Sequence, residues 1–506
     1  MKKALLQICL FLTGLVFQVN AQLSRAEIQT TSSRSLRTSL TEFREYLSLP
    51  NNGKVPADIQ LNLDWTKSAL EKRGLKTQIL SSNGVPHLFA QGKQDSKKKT
   101  ILVYMQIDGQ PVDSSAWNQE SPYIPELMEE NDGNWKPLNW NFIDGEIDPE
   151  WRIFARSASD SKGPTMTFLT ALDILEKNGI TPAVNLKVIL DFQEEISSPE
   201  LAKVVAENKK LFAADGILIM DGTRHFSNLP NLAFGARGIA TITLKIFGAS
   251  SDLHSGQYGN FAPNPVFAAS RLLAAMKDES GKVLIPGFYE GVEFTDADLK
   301  AMQAVPESME EIQSELGIAA AEKVGSSYQE AMQYPTLNVR GIRAAWVGKE
   351  VRTIIPSETI VEIDMRTVKE TPAERQVELV RQFIEDQGYH FVAGEPTEAE
   401  RKAYSKLVSF EFRIGSEPFR TDMESGFGHW LEKGMSLVFG ENYIKTRLTG
   451  GSQPMAPFIN ILDIPAVSVR IPNPDNSIHA PNENIRIGNY LEGIQTCLGI
   501  LTQTFD

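Results

Sequence analysis

Short apolar runs alternate with stretches that place an apolar residue every three or four positions. Residues 100–105, 184–192 and 216–220 are rich in Ile, Leu and Val, as expected of strands buried on both faces. Between them, residues 163–177 and 202–211 carry helical spacing. Such alternation predicts a mostly parallel sheet with helices on both faces. Upstream, residues 36–47 and 58–72 read as helices and 76–80 as a short strand. The pattern then changes. Residues 239–247 alternate apolar and polar like a half-exposed strand, 265–276 form a helix, and 337–346 and 359–365 form strands. A helix at 373–387 and a strand at 408–413 complete a β-α-β-β-α-β order, that of a ferredoxin-like sandwich. From about residue 417 the α/β character returns, with a strand at 466–470 and a helix at 487–501. The fold class expected is α/β: one mostly parallel-sheet domain built from residues 22–238 and 416–506, interrupted by an α+β domain over residues 239–415.

The first residues do not belong to this scheme. Lys2 and Lys3 precede an apolar run from Ala4 to Phe17, and Val19-Asn20-Ala21 closes it with small residues. The run is too short to span a bilayer and reads as a signal peptide cleaved after Ala21, which places the protein outside the cytoplasm, periplasmic or secreted. Cys9 leaves with the leader, so Cys497 is the one mature cysteine and no intrachain disulfide can form. The chain's net charge of −14 becomes −16 without the two leader lysines, which argues against a nucleic-acid partner. No later stretch is long and apolar enough for a membrane span.

Candidate chemistry gathers where the predicted strands end. Gln106 and Asp108 lie in Val103-Tyr104-Met105-Gln106-Ile107-Asp108-Gly109-Gln110-Pro111-Val112-Asp113, and Asp160 lies in Ala155-Arg156-Ser157-Ala158-Ser159-Asp160-Ser161-Lys162-Gly163. Glu194 and Glu195 follow strand 184–192, Asp221 follows strand 216–220, and His479 follows strand 466–470. In open α/β sheets the crevice beyond the carboxyl ends of the strands is the binding site, so these positions are expected to converge. Carboxylates with a histidine suit zinc, and a shared carboxylate suits two metals. Taken singly, each acid has a plain structural alternative: Asp160 and Asp221 as helix caps, Glu194 and Glu195 as a solvated helix start. The ordered set is far more specific than any member.

These motifs, with Glu-Glu-Ile-Ser-Ser-Pro, Asp-Leu-His-Ser-Gly, Gly-Gly-Ser and His-Ala-Pro-Asn-Glu, resemble the co-catalytic zinc metallopeptidases related to carnosinase, glutamate carboxypeptidase, aminoacylase and succinyl-diaminopimelate desuccinylase. The resemblance covers nearly all of the mature chain and implies a catalytic domain carrying an inserted lid that dimerises. It implies that Asp160 bridges two metals, that Glu195 and His479 complete one site, and that Asp221 and residue 106 complete the other. Glu194 would be the general base, Asp108 would orient residue 106, and His254 in the insert would stabilise the oxyanion. Arg366 would grip a substrate carboxylate, and Gly450, Gly451 and Ser452 would form a substrate-binding loop.

The sequence departs from that pattern at Gln106, where the family has a histidine, and at Ser161, where it has an aspartate. An amide oxygen is a weaker ligand than imidazole, so one tight Zn2+ and a second weaker site are expected, with Mn2+ or Co2+ as substitutes. Three readings stand: a hydrolase of amide bonds beside a free carboxylate (a dipeptidase or carboxypeptidase), a deacylase of N-acyl amino acids, and a non-catalytic peptide-binding member. The retained acids and histidines favour the first, acting as a homodimer on a peptide substrate.

Overall fold

The protein is described here by a computed structural model covering residues 22–453 and 455–505; the leader expected at residues 1–21 lies outside the described residues. Its largest sheet has eight strands. Thr100–Gln106 lies at its centre, parallel to Asn185–Asp191 on one side and to Gly216–Ile219 on the other, with Ala466–Arg470 parallel to Gly216–Ile219 beyond. All four run in one direction, so their carboxyl ends share one edge of the sheet. The side chains of this central set are almost wholly buried, which is why they read as apolar runs rather than as alternating strands. Helices Lys162–Lys177, Ile487–Leu501, Arg25–Leu47 and Gly426–Phe439 pack on one face of the sheet through a continuous apolar core, and Leu201–Glu207, Lys209–Phe212 and Ala456–Leu462 pack on the other.

The β-α-β-β-α-β order is present in the second unit. Its five-stranded sheet runs Asn338–Ala344, Glu358–Thr367, Gly238–Phe247, Leu407–Ile414, His390–Phe391. Gly238–Phe247 and Glu358–Thr367 alternate buried and half-buried residues along their length. Helices Pro265–Met276 and Ala373–Asp386 cover the buried face and share its core. Among the described residues no helix is long and apolar enough to cross a membrane.

A further four-stranded sheet, with no counterpart in the apolar periodicity, is ordered Asn484–Arg486, Arg152–Phe154, Glu126–Asn131, Asn134–Leu138. Its strands are short and mostly polar, so they carry little periodicity. This sheet matters for the site. Pairing Arg152–Phe154 with Asn484–Arg486 brings the loop that follows the first strand, ending at Asp160, against the loop that precedes the second, containing His479. Cys497, the one free thiol among the described residues, is buried, and burial pushes it up to about 12, so it is unreactive packing.

Candidate active site

Gln106 closes its strand, and Asp108 follows two residues later; both are buried at 2% exposure. Asp108 does not meet Gln106. Its two carboxylate oxygens accept the backbone N–H groups of Glu194 (2.9 Å) and Glu195 (3.1 Å), holding the turn that aims those two side chains. Residue 106, expected to be oriented by Asp108, instead donates from its amide to Asp160 Oδ1 at 2.5 Å. Asp108 therefore positions the Glu194-Glu195 turn from behind, and close packing against Gly53 holds it there: a β-carbon on Gly53 would fall 2.6 Å from Asp108 Oδ2.

Asp160 sits just ahead of helix Lys162–Lys177 but does not cap it. The peptide between Asp160 and Ser161 is cis. Asp160 Oδ1 accepts from Gln106 and lies 2.9 Å from Ser161 Oγ, while Oδ2 lies 3.0 Å from His479 Nε2. His479 Nε2 is also 3.4 Å from Glu195 Oε2, which accepts from Gln110 Nε2 at 2.8 Å. One ligand atom each from Asp160, Glu195 and His479 thus falls within 4.8 Å of the others. Tetrahedral zinc with bonds near 2.0–2.1 Å separates its ligands by ~3.3 Å, close to the two contacts that His479 makes. Asp221 also caps no helix: Oδ2 accepts from Gln453 Nε2 at 2.7 Å, and Oδ1 lies 3.3 Å from Ser161 Oγ.

The loop carrying Asp160 is fixed by Glu483, the last residue of the His-Ala-Pro-Asn-Glu motif, for which the sequence implies no role. Glu483 is fully buried and accepts from the backbone N–H groups of Ser157, Ser159 and Asp160, from Ser159 Oγ and from Arg156. One carboxylate thereby ties the Asp160 loop to the His479 loop, four residues after His479 itself. Its removal would strand a buried guanidinium and three backbone donors, a loss of about 3–5 kcal/mol by analogy with broken buried ion pairs.

The electrostatics point to a cation. Burial, together with Asp221, Asp160, Glu195 and Asp108, holds the Glu194 carboxyl well above the usual carboxylate range. Burial and the neighbouring Asp160 and Asp108 push Glu195 up to about 10, and burial with Asp160 raises Asp221. Burial, then Asp191, raises Asp108 in the same way. The hydrogen bond to Asp160 raises His479. So many acids cannot all ionise in one desolvated pocket unless a positive ion sits among them.

Residues 103–503 match peptidase family M20/M25/M40. The chain belongs to this family. It is 26% identical over 442 residues to Cys-Gly metallodipeptidase dug1 of Schizosaccharomyces pombe, an alignment spanning 84% of this chain and 85% of that protein. It is 25% identical over 417 residues to the Beta-Ala-His dipeptidase of Homo sapiens, spanning 81% and 75%. Among solved structures, the M20 family metallo-carboxypeptidase Sso-CP2 from Sulfolobus solfataricus superposes with a TM-score of 0.73 at 26% identity, covering 92% of this chain and 98% of that one. The family is metal-dependent, and in this M20 peptidase the Asp160, Glu195 and His479 set fits a divalent ion by donor type and spacing.

Among the described residues, the remaining sequence candidates make no hydrogen bond to that cluster. Arg366, at the end of strand Glu358–Thr367, donates from Nη1 to Ser452 Oγ at 2.9 Å, so the arginine and the Gly450-Gly451-Ser452 loop do meet. Behind them lies Arg237, which sequence reasoning missed. Its guanidinium donates to the backbone carbonyls of Ala331, Met332 and Tyr334, and burial with the adjacent Arg366 charge lowers it to about 10. Two neighbouring guanidinium groups form a local anion-attracting site. His254 is exposed on the second unit and accepts the Gly256 N–H through Nδ1. Among the described residues it makes no hydrogen bond or ion pair to the acidic cluster.

Proposed function

We propose that this M20 peptidase is an exported zinc dipeptidase that cuts the amide bond beside a free substrate carboxylate and works as a homodimer. The protein is a metal-dependent peptidase, and the observation that carries its chemistry is the convergence of Asp160, Glu195 and His479 with Glu194 alongside. Two carboxylates and one imidazole suit zinc and leave a coordination position open, with Mn2+ or Co2+ as workable substitutes. A divalent ion held there polarises a carbonyl and lowers the pKa of a water.

The chain's own groups then divide the work. Glu194, whose carboxyl burial and the neighbouring acids hold above the usual carboxylate range, takes a proton from the attacking water and returns it to the leaving amine. Asp108 keeps Glu194 in place by holding its backbone N–H. Arg366, braced by Ser452 and backed by Arg237, receives the free carboxylate of the substrate. The relatives named as acting on Cys-Gly and Beta-Ala-His support a dipeptide as the substrate, with a single residue placed between scissile bond and carboxylate clamp.

His254 stabilises the oxyanion in this reading, reaching the site of the second subunit from its exposed turn. The exposed edge strand Asn338–Ala344, with Ile342 57% exposed and nearby Val347 87% exposed, supports pairing of two such units. The pattern of Lys2, Lys3, the apolar run and Ala21 supports export.

The substrate clamp has a direct test. A free dipeptide is hydrolysed, whereas its C-terminally amidated analogue is a poor substrate. Arg366→Ala raises KM for the free dipeptide about 10–100-fold, from the ~1.5–3 kcal/mol of a charged hydrogen bond, and leaves the amidated analogue unaffected. Equal kinetics on both peptides in the wild type would remove the carboxylate clamp from the account.

A further inference from the structure

The expected second metal position does not have the character of a metal site. A ligand set must turn lone pairs toward the ion, yet the groups around Asp221 and Asp160 Oδ1 turn hydrogens toward them. Gln106 donates Nε2 to Asp160 Oδ1. Ser161 Oγ lies between Asp160 Oδ1 and Asp221 Oδ1. Gln453 donates Nε2 to Asp221 Oδ2, and its orientation is fixed because Ser468 Oγ donates to Gln453 Oε1 at 3.1 Å. Donors from three side chains thus engage Asp160 Oδ1 and both Asp221 oxygens, while Gln106 Oε1 is buried without a partner.

A resident positive charge is also present. Ser468 pairs with Ile219 in the parallel strands, so two residues further on, Arg470 comes level with Asp221. A β-carbon on Gly222 would fall 1.3 Å from Arg470 Nη1 and 2.3 Å from Cζ. The guanidinium therefore lies flush against the residue that follows Asp221, in space only glycine leaves open, and Gly222 has φ +91°. Arg470 Nη2 donates to Thr449 Oγ1 at 3.3 Å, and Nε is sealed from solvent without a partner. Asp221 and Asp160 are the carboxylates whose field favours its charge.

We propose that Arg470, with the donors of Gln106, Ser161 and Gln453, replaces the second metal ion, so that the protein is a one-ion member of its family with Asp160, Glu195 and His479 as the ligands. This rests on the proposed function only for the existence of the first ion. The guanidinium stands beside Asp221 as a fixed counter-charge, and the amide and hydroxyl donors satisfy the oxygens that point away from His479. The lost histidine at position 106 and the arginine at 470 are then two halves of one replacement, and restoring one alone does not recreate the site.

Equilibrium dialysis of metal-stripped, full-length protein against zinc chloride, with bound zinc counted by mass spectrometry, tests this. The wild type takes up one equivalent. Gln106→His combined with Arg470→Met binds a second equivalent at least about tenfold more tightly than Gln106→His alone, within the range that groups behind a metal site command. Two equivalents of comparable affinity in the wild type overturn the proposal, as does equal second-site affinity in the single and double variants. Zero equivalents in the wild type overturn the metal centre itself, and with it the function proposed above. Should the double variant not fold, the wild-type count still decides.

Discussion

Glu194→Gln abolishes dipeptide hydrolysis, lowering kcat by about 10³-fold or more, while the protein still binds zinc. The size follows from general acid–base catalysis, which contributes ~10²–10⁴-fold, and here one group both takes and returns the proton. The change is nearly isosteric and removes one carboxyl group from a buried, acid-crowded cluster that holds it above the usual carboxylate range, so the fold is not harmed and the acid crowding is eased. The Glu194 N–H still bonds Asp108, leaving the turn and Glu195 in place. Zinc content measured beside kcat separates this role from a ligand role. If zinc is lost with activity, Glu194 is a ligand; if activity persists, another group is the base.

Asp160→Asn has an equally large effect by a different route, because it removes the ion. Asp160 supplies a ligand atom beside His479 Nε2 and Glu195 Oε2, and a neutral amide in its place donates where the site needs an acceptor. Loss of several kcal/mol of charge stabilisation corresponds to about 10³-fold or more in rate. The zinc-dependent rise in Tm goes with it: an ion bound at a thousandfold over its Kd adds about 4 kcal/mol to the folded state of the unaltered protein. Calorimetry with and without zinc reads this without any substrate. An unchanged zinc-dependent Tm in Asp160→Asn would place the ion elsewhere.

Much of the scaffold was legible because it is written in burial. The helix Pro265–Met276, the strand Ala466–Arg470 and the helix Ile487–Leu501 fall where the apolar periodicity placed them. What escaped was either short or conditional on tertiary pairing. Asn231–Ala233 and Ile444–Thr446 are three-residue strands that exist because they lie beside each other, and three residues have no readable period. The helix Gly426–Phe439 escaped although Trp430 and Leu431 anchor it in the core; Gly426, Gly428 and Gly434 dilute its helical signal.

The site shows the same division. Sequence order alone carries the expectation that Gln106, Glu194, Glu195 and Asp221, at the ends of the parallel strands, lie near one another, because the topology brings those ends to one edge. The groups that hold them are not legible in that order. Glu483 works through backbone N–H groups, which no residue pattern reveals. Gln453 and Arg470 act by hydrogen-bond direction and by space above Gly222. A charged residue closing a buried strand, as Arg470 does, was the one signal available. The amide of Gln106 has Asp160 as its partner rather than Asp108, because Asp108 is already committed to the Glu194-Glu195 turn.

The central claim, a peptidase whose chemistry depends on an ion at Asp160, Glu195 and His479, is tested most directly by hydrolysis of a free dipeptide such as Cys-Gly before chelation, after chelation and after metal return. Turnover is lost on chelation and restored by zinc, manganese or cobalt. Turnover that survives complete removal of metal, or that is absent under every metal supplied, contradicts it.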